Sequence, residues 1–357
     1  MREYFLERED EYESEFYRKF FENAEALVRG REEALLAFDF VILKPDAVAR
    51  GLVRRILSEL RGAGIHPVAA RPFVFGETVK EDLYRFVKKK YFSTWWVYGA
   101  YYLGPSIALL LRGEKGSYDH LPALVRALIG PTTPWVGNGI RFKLSGTNRL
   151  FNLIHASDDP AAALREALIF FDEAEIVKAL EHPEPVEVGE LATEPRALDW
   201  PSVSSRILAS LAGALESRGV GADDLRSLCS RLGALSGQTP DRFLSGMAEM
   251  ASDALSVLDS LAERVSARAL EALRGTLPGT RNPEVLDLPP LLSSIEAAKG
   301  IFDFHWMADP SYEIRLAGVH ATLSLDAWDL AVLHTTHATM PQVLRNLREE
   351  GMPYPKG

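Results

Sequence analysis

Asn152-Leu153-Ile154-His155-Ala156-Ser157-Asp158 carries a histidine at the end of a short apolar run, directly ahead of a helix start marked by Asp158, Asp159 and Pro160. An acid followed by proline opens helices well, because the ring presets the backbone angle and the missing N–H is not needed there. Glu166 lies on that helix, and folding it back over the strand brings a carboxylate to the imidazole. A histidine held in this way keeps one ring nitrogen protonated and leaves the other lone pair free to attack or to accept. The same pattern also suits a packed or surface histidine, so the stretch has to be read with what surrounds it.

Upstream, Phe38 to Lys44 is an apolar run rich in aromatic and β-branched residues and predicts a buried strand with Lys44 at its end. Helices are expected over 51–62 and 80–90, with a strand over 66–75 between them. A strand is expected over Ser106–Leu111 and a helix over His120–Ile129. A Pro-, Gly- and Thr-rich loop at 130–139 leads to the strand carrying His155, and helices 160–171 and 173–181 follow. Strands alternating with helices in this order predict an α/β sandwich with one antiparallel sheet.

The ordered set is Phe40-Val41-Ile42-Leu43-Lys44-Pro45-Asp46, Arg126, Gly130-Pro131-Thr132-Thr133-Pro134, Gly139-Ile140-Arg141 and the His155 stretch. It resembles the nucleoside diphosphate kinase family from about Phe38 to about Leu180. Taken singly, a lysine at a strand end and arginines on helices are ordinary surface residues; their joint order carries the resemblance.

That resemblance implies a ferredoxin-like βαββαβ core with added helices. It also implies ping-pong transfer of the ATP γ-phosphate through a phosphohistidine at His155 to a diphosphate acceptor. Glu166 would orient the ring and Ser157 support it. Lys44 and Arg141 would stabilise the transferring phosphate, and Arg126 and Thr132 would hold the inner phosphates. Asn152 would reach the sugar hydroxyl, Tyr84 would lie near the histidine, and Phe92 would stack on the base. Mg2+ would arrive on the nucleotide phosphates, with no metal-ligating residues of the chain itself. The resemblance further implies a homo-oligomer.

Several positions depart from the family pattern. Phe86 stands where an acid is often found two residues after Tyr84. The Phe92–Gly104 segment is longer and more aromatic, so Ser93 competes with Phe92 for the stacking position and Trp95 and Trp96 flank the base pocket. The stretch between Arg141 and His155 is also longer, with Lys143, Arg149 and Phe151 in it. The phosphate chemistry is expected to be intact, and acceptor choice is where this chain is expected to differ.

The 357-residue chain is long for one domain. Its 47% hydrophobic and 25% charged residues suit an ordinary globular protein with a real core. A net charge of -10 argues against a general nucleic-acid binder, since phosphate backbones reward basic surfaces. The single cysteine, Cys229, excludes an internal disulfide and fits a reducing cytoplasm. No signal peptide and no apolar run of spanning length is legible, so a cytoplasmic protein with no membrane partner is expected.

The expected organisation is a helical extension over 1–37, the kinase-like domain over 38–181, a proline-rich linker or strapped arm over 182–203, and a mainly α domain over 204–357. Within the last, helices are expected from Val203 to Arg274, over Leu291–Lys299 and over Asp326–Glu349. A break is expected at Pro278–Pro290 and a more extended stretch over Phe302–Leu325. His334 and His337 share one helix face at a spacing a metal could use, although an isolated pair is more often structural. His305 and His320 lie nearby in sequence. Two other readings remain beside the enzyme: a nucleotide-sensing module whose helical domain binds a partner, and a helical domain that is itself catalytic.

Overall fold

In the computed structural model the described residues are 2–90, 92–135, 137–191, 194–235, 238, 240–276, 282–303 and 325–350. Two compact units divide the chain: Met1–Gly146 with Leu150–Arg196, and Thr147–Arg149 with Ala197–Gly357.

The first unit opens with three helices, α1 (Glu3–Leu6), α2 (Glu11–Val28) and α3 (Glu32–Leu36), where one or two were expected. Strand β1 (Phe38–Leu43) is buried at every position. The expected helix 51–62 is α5 (Val53–Gly62), and a short helix that was not expected, α4 (Pro45–Ala49), precedes it. Gly51 adopts φ +64 between them, a left-handed turn that ends the first and redirects the chain into the second. Strand β2 (His66–Val74) follows, then α6 (Glu77–Leu83) and α7 (Arg85–Lys90), which meet at Tyr84 where one helix was expected. A 3-10 segment, Phe92–Leu103, leads to β3 (Pro105–Arg112) and α8 (Leu121–Ile129). Short helix α9 (Ile140–Lys143), strand β4 (Ile154–Ala156), α10 (Pro160–Phe170) and α11 (Glu173–Glu181) complete the succession.

The sheet order is β2-β3-β1-β4, antiparallel throughout. With α5 and α8 as the two crossovers, this is the expected ferredoxin-like βαββαβ topology. Pro67 lies in edge strand β2 beside a register irregularity, one of the few places a sheet tolerates a residue without an N–H.

Alternation along β1 sends its side chains to opposite layers. Val41 and Leu43 join Ile107, Leu109 and Leu111 under α5 and α8, where Val53, Ile56, Leu57 and Leu60 form one apolar stripe. Phe40 faces the other way and stacks on Phe170 of α10 at 5.3 Å. Every residue of α10 from Pro160 to Ala167 is buried, so this helix is covered on its outer side as well as against the sheet.

The segment after α11 lies along the first unit as an arm. Val186 N–H donates to the Pro67 carbonyl at 2.8 Å, and Arg196 N–H donates to the Ala49 carbonyl at 2.8 Å.

The second unit is helical: α12 (Trp200–Glu216), α13 (Asp223–Gly233), α14 (Pro240–Arg274), α15 (Pro283–Phe302) and α16 (Ala327–Glu350). Asp199 caps α12 through Ser202 N–H, with Pro201 in the first turn, three residues before the expected start. The expected break at Pro278–Pro290 is shorter, because α15 runs through Pro289 and Pro290. Both prolines lie inside the helix, past its first turn, where each removes an i→i−4 hydrogen bond, and the helix continues through them. Antiparallel neighbours α14 and α15 share an apolar seam including Leu258, Leu261, Leu291 and Ile295. Trp200 meets Phe302 edge-on at 5.7 Å. The extended stretch expected up to Leu325, with Phe304, His305, Trp306, Met307 and His320, lies outside the described residues. Among the described residues no helix is long and apolar enough to cross a membrane.

Candidate functional site

Pairing register decides where the histidine points. In the β1–β4 ladder His155 lies opposite Ile42, while Ile154 and Ala156 lie opposite Leu43 and Val41. The neighbours enter the apolar layer under α5 and α8. His155 therefore shares the opposite face with Phe40 and α10, and a slip of one residue would bury the imidazole in the wrong layer.

On that face His155 Nε2 lies 2.7 Å from Glu166 Oε2. A carboxylate only accepts, so Nε2 carries the proton and Nδ1 keeps its lone pair. No described residue hydrogen-bonds Nδ1. Ser157 Oγ donates to the same Glu166 oxygen at 2.8 Å, and Arg165 Nη2 donates to Oε1 at 2.8 Å. Burial pushes the Glu166 carboxyl upward, but His155, Arg165 and the Ser157 hydroxyl outweigh it and hold the group below its ordinary range. Tyr84 approaches the imidazole edge-on, with ring centroids 5.6 Å apart. Its hydroxyl is buried near that of Tyr101, and burial raises its pKa.

The cations are buried beside this pair. Lys44 ends β1 and precedes Pro45, so its side chain leaves the strand at the point where the backbone turns into α4. Its Nζ donates to Asn152 Oδ1 at 2.7 Å, to Tyr101 Oη at 3.0 Å and to the Leu150 carbonyl at 3.1 Å. Burial, with repulsion from Arg141, pushes the ammonium down to about 7. Arg141 donates to the carbonyls of Gly130 and Ile154, each at 2.7 Å. Burial and the charge of Arg126 lower its pKa to about 10. Two buried cations thus lie close to one another, with buried Asp46 as the carboxylate that opposes their loss of charge.

Backbone geometry sets these groups. Leu153 adopts φ +75, a left-handed conformation unusual for a branched residue. Two hydrogen bonds over-determine it: its N–H donates to Asp46 Oδ2 at 3.0 Å, and its carbonyl accepts from Lys44 N–H at 2.9 Å. That turn delivers Asn152 to Lys44, and Asn152 Nδ2 reaches the Thr132 carbonyl at 2.9 Å. The 130–139 loop closes where Gly130 (φ +80) meets Gly139. A Cβ on Gly139 would stand 2.6 Å from the Gly130 nitrogen, so only glycine permits the approach that aims Arg141 at the Gly130 carbonyl.

Lys44, Arg141, Asn152, His155, Ser157, Glu166 and Tyr84, together with the Thr132 backbone, thus form one connected set. The Thr132 side chain is exposed. Arg126 stands apart from the buried network, on the surface in an ion pair with Asp158. The Phe92, Ser93 and Trp96 side chains lie outside the described residues; Trp95 is half-buried and donates from Nε1 to Glu81 at 3.0 Å. Sequence reasoning missed Asp46, Tyr101 and Arg165 as members of the set. The aromatic excess of the 92–104 segment was the available signal for Tyr101, whereas nothing local marks an arginine on a helix as a buried partner.

In the second unit His337 is buried, and its Nδ1–H donates to the Leu333 carbonyl at 2.7 Å, which satisfies that nitrogen without a metal. Among the described residues no group of three His, Cys, Asp or Glu side chains is placed to hold a metal.

Residues 38–176 match the family described as nucleoside diphosphate kinase. A nucleoside diphosphate kinase of Methanosarcina barkeri is 34% identical over 141 residues, covering 38% of this chain and 89% of that protein. One from Thermosipho melanesiensis is 38% identical over 145 residues, covering 39% of this chain and 90% of the relative. A solved nucleoside diphosphate kinase structure from Aquifex aeolicus aligns at 29% identity with a TM-score of 0.34, over 39% of this chain and 96% of that one. With a third or more of the residues identical across about nine-tenths of these relatives' length, the chain belongs to the nucleoside diphosphate kinase family.

Proposed function

We propose that this protein transfers the γ-phosphoryl group of a Mg-bound nucleoside triphosphate, ATP in the first instance, to a diphosphate acceptor through a phosphohistidine at His155. The observation carrying this reading is the Nε2–Glu166 hydrogen bond, which leaves the Nδ1 lone pair unengaged beside buried Lys44 and Arg141. In the first half-reaction that lone pair attacks the γ-phosphorus. The bond from phosphorus to the β–γ bridging oxygen breaks, and the diphosphate leaves with the electron pair. Nε2–H stays on Glu166, whose negative charge balances the ring as it gains positive character. In the second half-reaction an acceptor's terminal phosphate oxygen attacks the phosphorus, the N–P bond breaks, and its electrons return to Nδ1.

Such a transfer needs positioning and charge more than covalent help from the protein. Lys44 and Arg141 meet the negative charge on the transferring group, which adds to the buried carboxylate, Asp46, now near them. Arg126, loosely paired at the surface, is free to exchange Asp158 for an inner phosphate, with Thr132 beside it. Asn152, whose amide joins Lys44 to the Thr132 carbonyl, is our candidate for the sugar hydroxyl, and Phe92 for the base. Mg2+ belongs to the substrate, carried on its phosphates; a cation-lined pocket suits a metal delivered in that way. The kinase reaction is assigned to residues 38–181, with 204–357 as a separate helical domain.

The test is incubation with γ-labelled ATP and Mg2+, wild type beside His155→Ala, then a chase with a panel of diphosphates. The expected result is an acid-labile, base-stable label on wild type alone, discharged by diphosphates. Equal labelling of His155→Ala overturns the nucleophile assignment, and a wild type that binds ATP without labelling overturns the enzyme reading.

A further inference from the structure

The N-terminal helices bear on the helix that carries Glu166 at two points. At its start, Asp159 caps α10 by accepting from Ala161 N–H at 2.9 Å and Ala162 N–H at 3.0 Å. Arg8 grips that same carboxylate with both terminal nitrogens. One and a half turns further on, Arg165 is buried with its donors committed in several directions. Nε donates to Tyr17 Oη at 3.1 Å, Nη1 to the Asp82 carbonyl at 2.9 Å, and Nη2 to Glu166 Oε1 at 2.8 Å. Tyr17 itself is only 1% exposed. Its ring is sandwiched, with the Arg8 guanidinium 4.0 Å from its centroid and Phe86 stacked at 5.7 Å and 27°.

A guanidinium is a rigid planar fork, so anchoring one N–H sets the direction of the others. Tyr17 holds Nε of the Arg165 fork, while Nη2 on the same edge holds Glu166 and also reaches the Leu83 carbonyl at 3.3 Å. Glu166 in turn has one oxygen on Arg165 and the other on His155 and Ser157. The carboxylate is thereby fixed in rotation, and with it the tautomer and plane of the imidazole.

We propose that Tyr17 is a positioning residue for the nucleophile, acting through Arg165 and Glu166 on His155, and that the 1–37 extension is thereby a working part of the kinase site. This rests on the phosphohistidine reading above. An extension that merely covered apolar surface would need the ring of Tyr17 and not its hydroxyl. Here the hydroxyl is the acceptor for a buried N–H that has no water to turn to.

Tyr17→Phe in the full chain keeps the ring and its stacking and removes only the acceptor. Two readouts are taken: the single-turnover rate of His155 phosphorylation across ATP concentration and pH, and imidazole nitrogen NMR of His155, assigned with His155→Gln. The expected result is a roughly ten- to hundredfold slower phosphorylation at saturating ATP with half-saturation unchanged, the scale of a small misalignment at a reacting atom. The His155 resonances should move from one fixed Nε2–H tautomer to a mixture, and Arg165→Lys, which keeps the charge but not the fork, should behave likewise. A Tyr17→Phe protein with wild-type rate and wild-type imidazole spectrum overturns the proposal. So does one that is only less stable, with an unchanged rate per folded molecule. If wild type forms no phosphohistidine, the kinase reading fails, and the tautomer comparison still decides the role of Tyr17.

Discussion

The two units bury different kinds of side chain. Among the described residues, every buried aspartate, glutamate, lysine and arginine lies in the first unit, from Asp39, Lys44 and Asp46 through Arg141 to Arg165 and Glu166. The second unit buries Leu, Ala, Met and Ile, and its buried polar side chains are neutral hydroxyls, an amide and His337. Taking a charge out of water is expensive unless it is paired or used, and breaking such a pair costs more than breaking an apolar contact. Ionic chemistry is therefore concentrated in the first unit, and the helices of the second are held by packing.

The largest test of that contrast is Lys44→Met. It fills the pocket with an apolar side chain of similar length and removes one cation from the proposed transition state. The rate of His155 labelling should fall about 10²–10³-fold, the usual loss when one preorganised charge donor is removed. A change under about threefold would mean that the buried lysine is structural.

Leu258→Ala probes the other side. Leu258 is fully buried on α14, and truncation should cost about 2–4 kcal/mol of unfolding free energy by transfer and cavity terms. Denaturant melts would read this, while labelling of His155 per folded molecule should be unchanged. A parallel loss of rate would break the division of labour between the units.

The smallest effect is at Asp39. This carboxylate is fully buried, accepts only from Phe40 N–H at 2.7 Å, and leaves Oδ2 without a partner. Burial, with the nearby charge of Glu166, raises its pKa well above the usual carboxylate range. A folded pKa above the unfolded one favours folding fully only below the unfolded value, and that advantage is lost as pH rises through the folded value. Asp39→Asn has no proton to lose, so it should gain stability over wild type progressively toward alkaline pH and nothing near about pH 4. Urea midpoints across pH would check the sign; a variant increasingly destabilised as pH rises would mean that the charge is wanted.

Much of the first unit was legible because its signals are local. Apolar runs rich in β-branched and aromatic residues marked the strands, Asp159-Pro160 opened α10, and the 173–181 helix stood where its Asp172 and Glu175 capping box puts it. The misjudged boundaries have physical causes. Pro45 opens a short helix, α4, that was not foreseen and Gly51 at positive φ closes it off before α5, and Pro289 and Pro290 were read as a break although α15 runs through them. Lys44, Arg126 and Arg141 were picked out by their order along the chain, which is information about ancestry more than about contact.

What the chain dictated locally was the element types, the histidine at a strand end and the carboxylate on the following helix. Only the tertiary structure decided that His155 lies opposite Ile42 and so faces Glu166, because strand register is set by which layer buries Ile154 and Ala156. It alone decided that Lys44 and Arg141 are dry, and that Tyr17 reaches Arg165 across 148 positions of sequence. Hydrogen bonds between residues so distant leave no periodic trace; they exist only once burial removes the water that would otherwise satisfy each group.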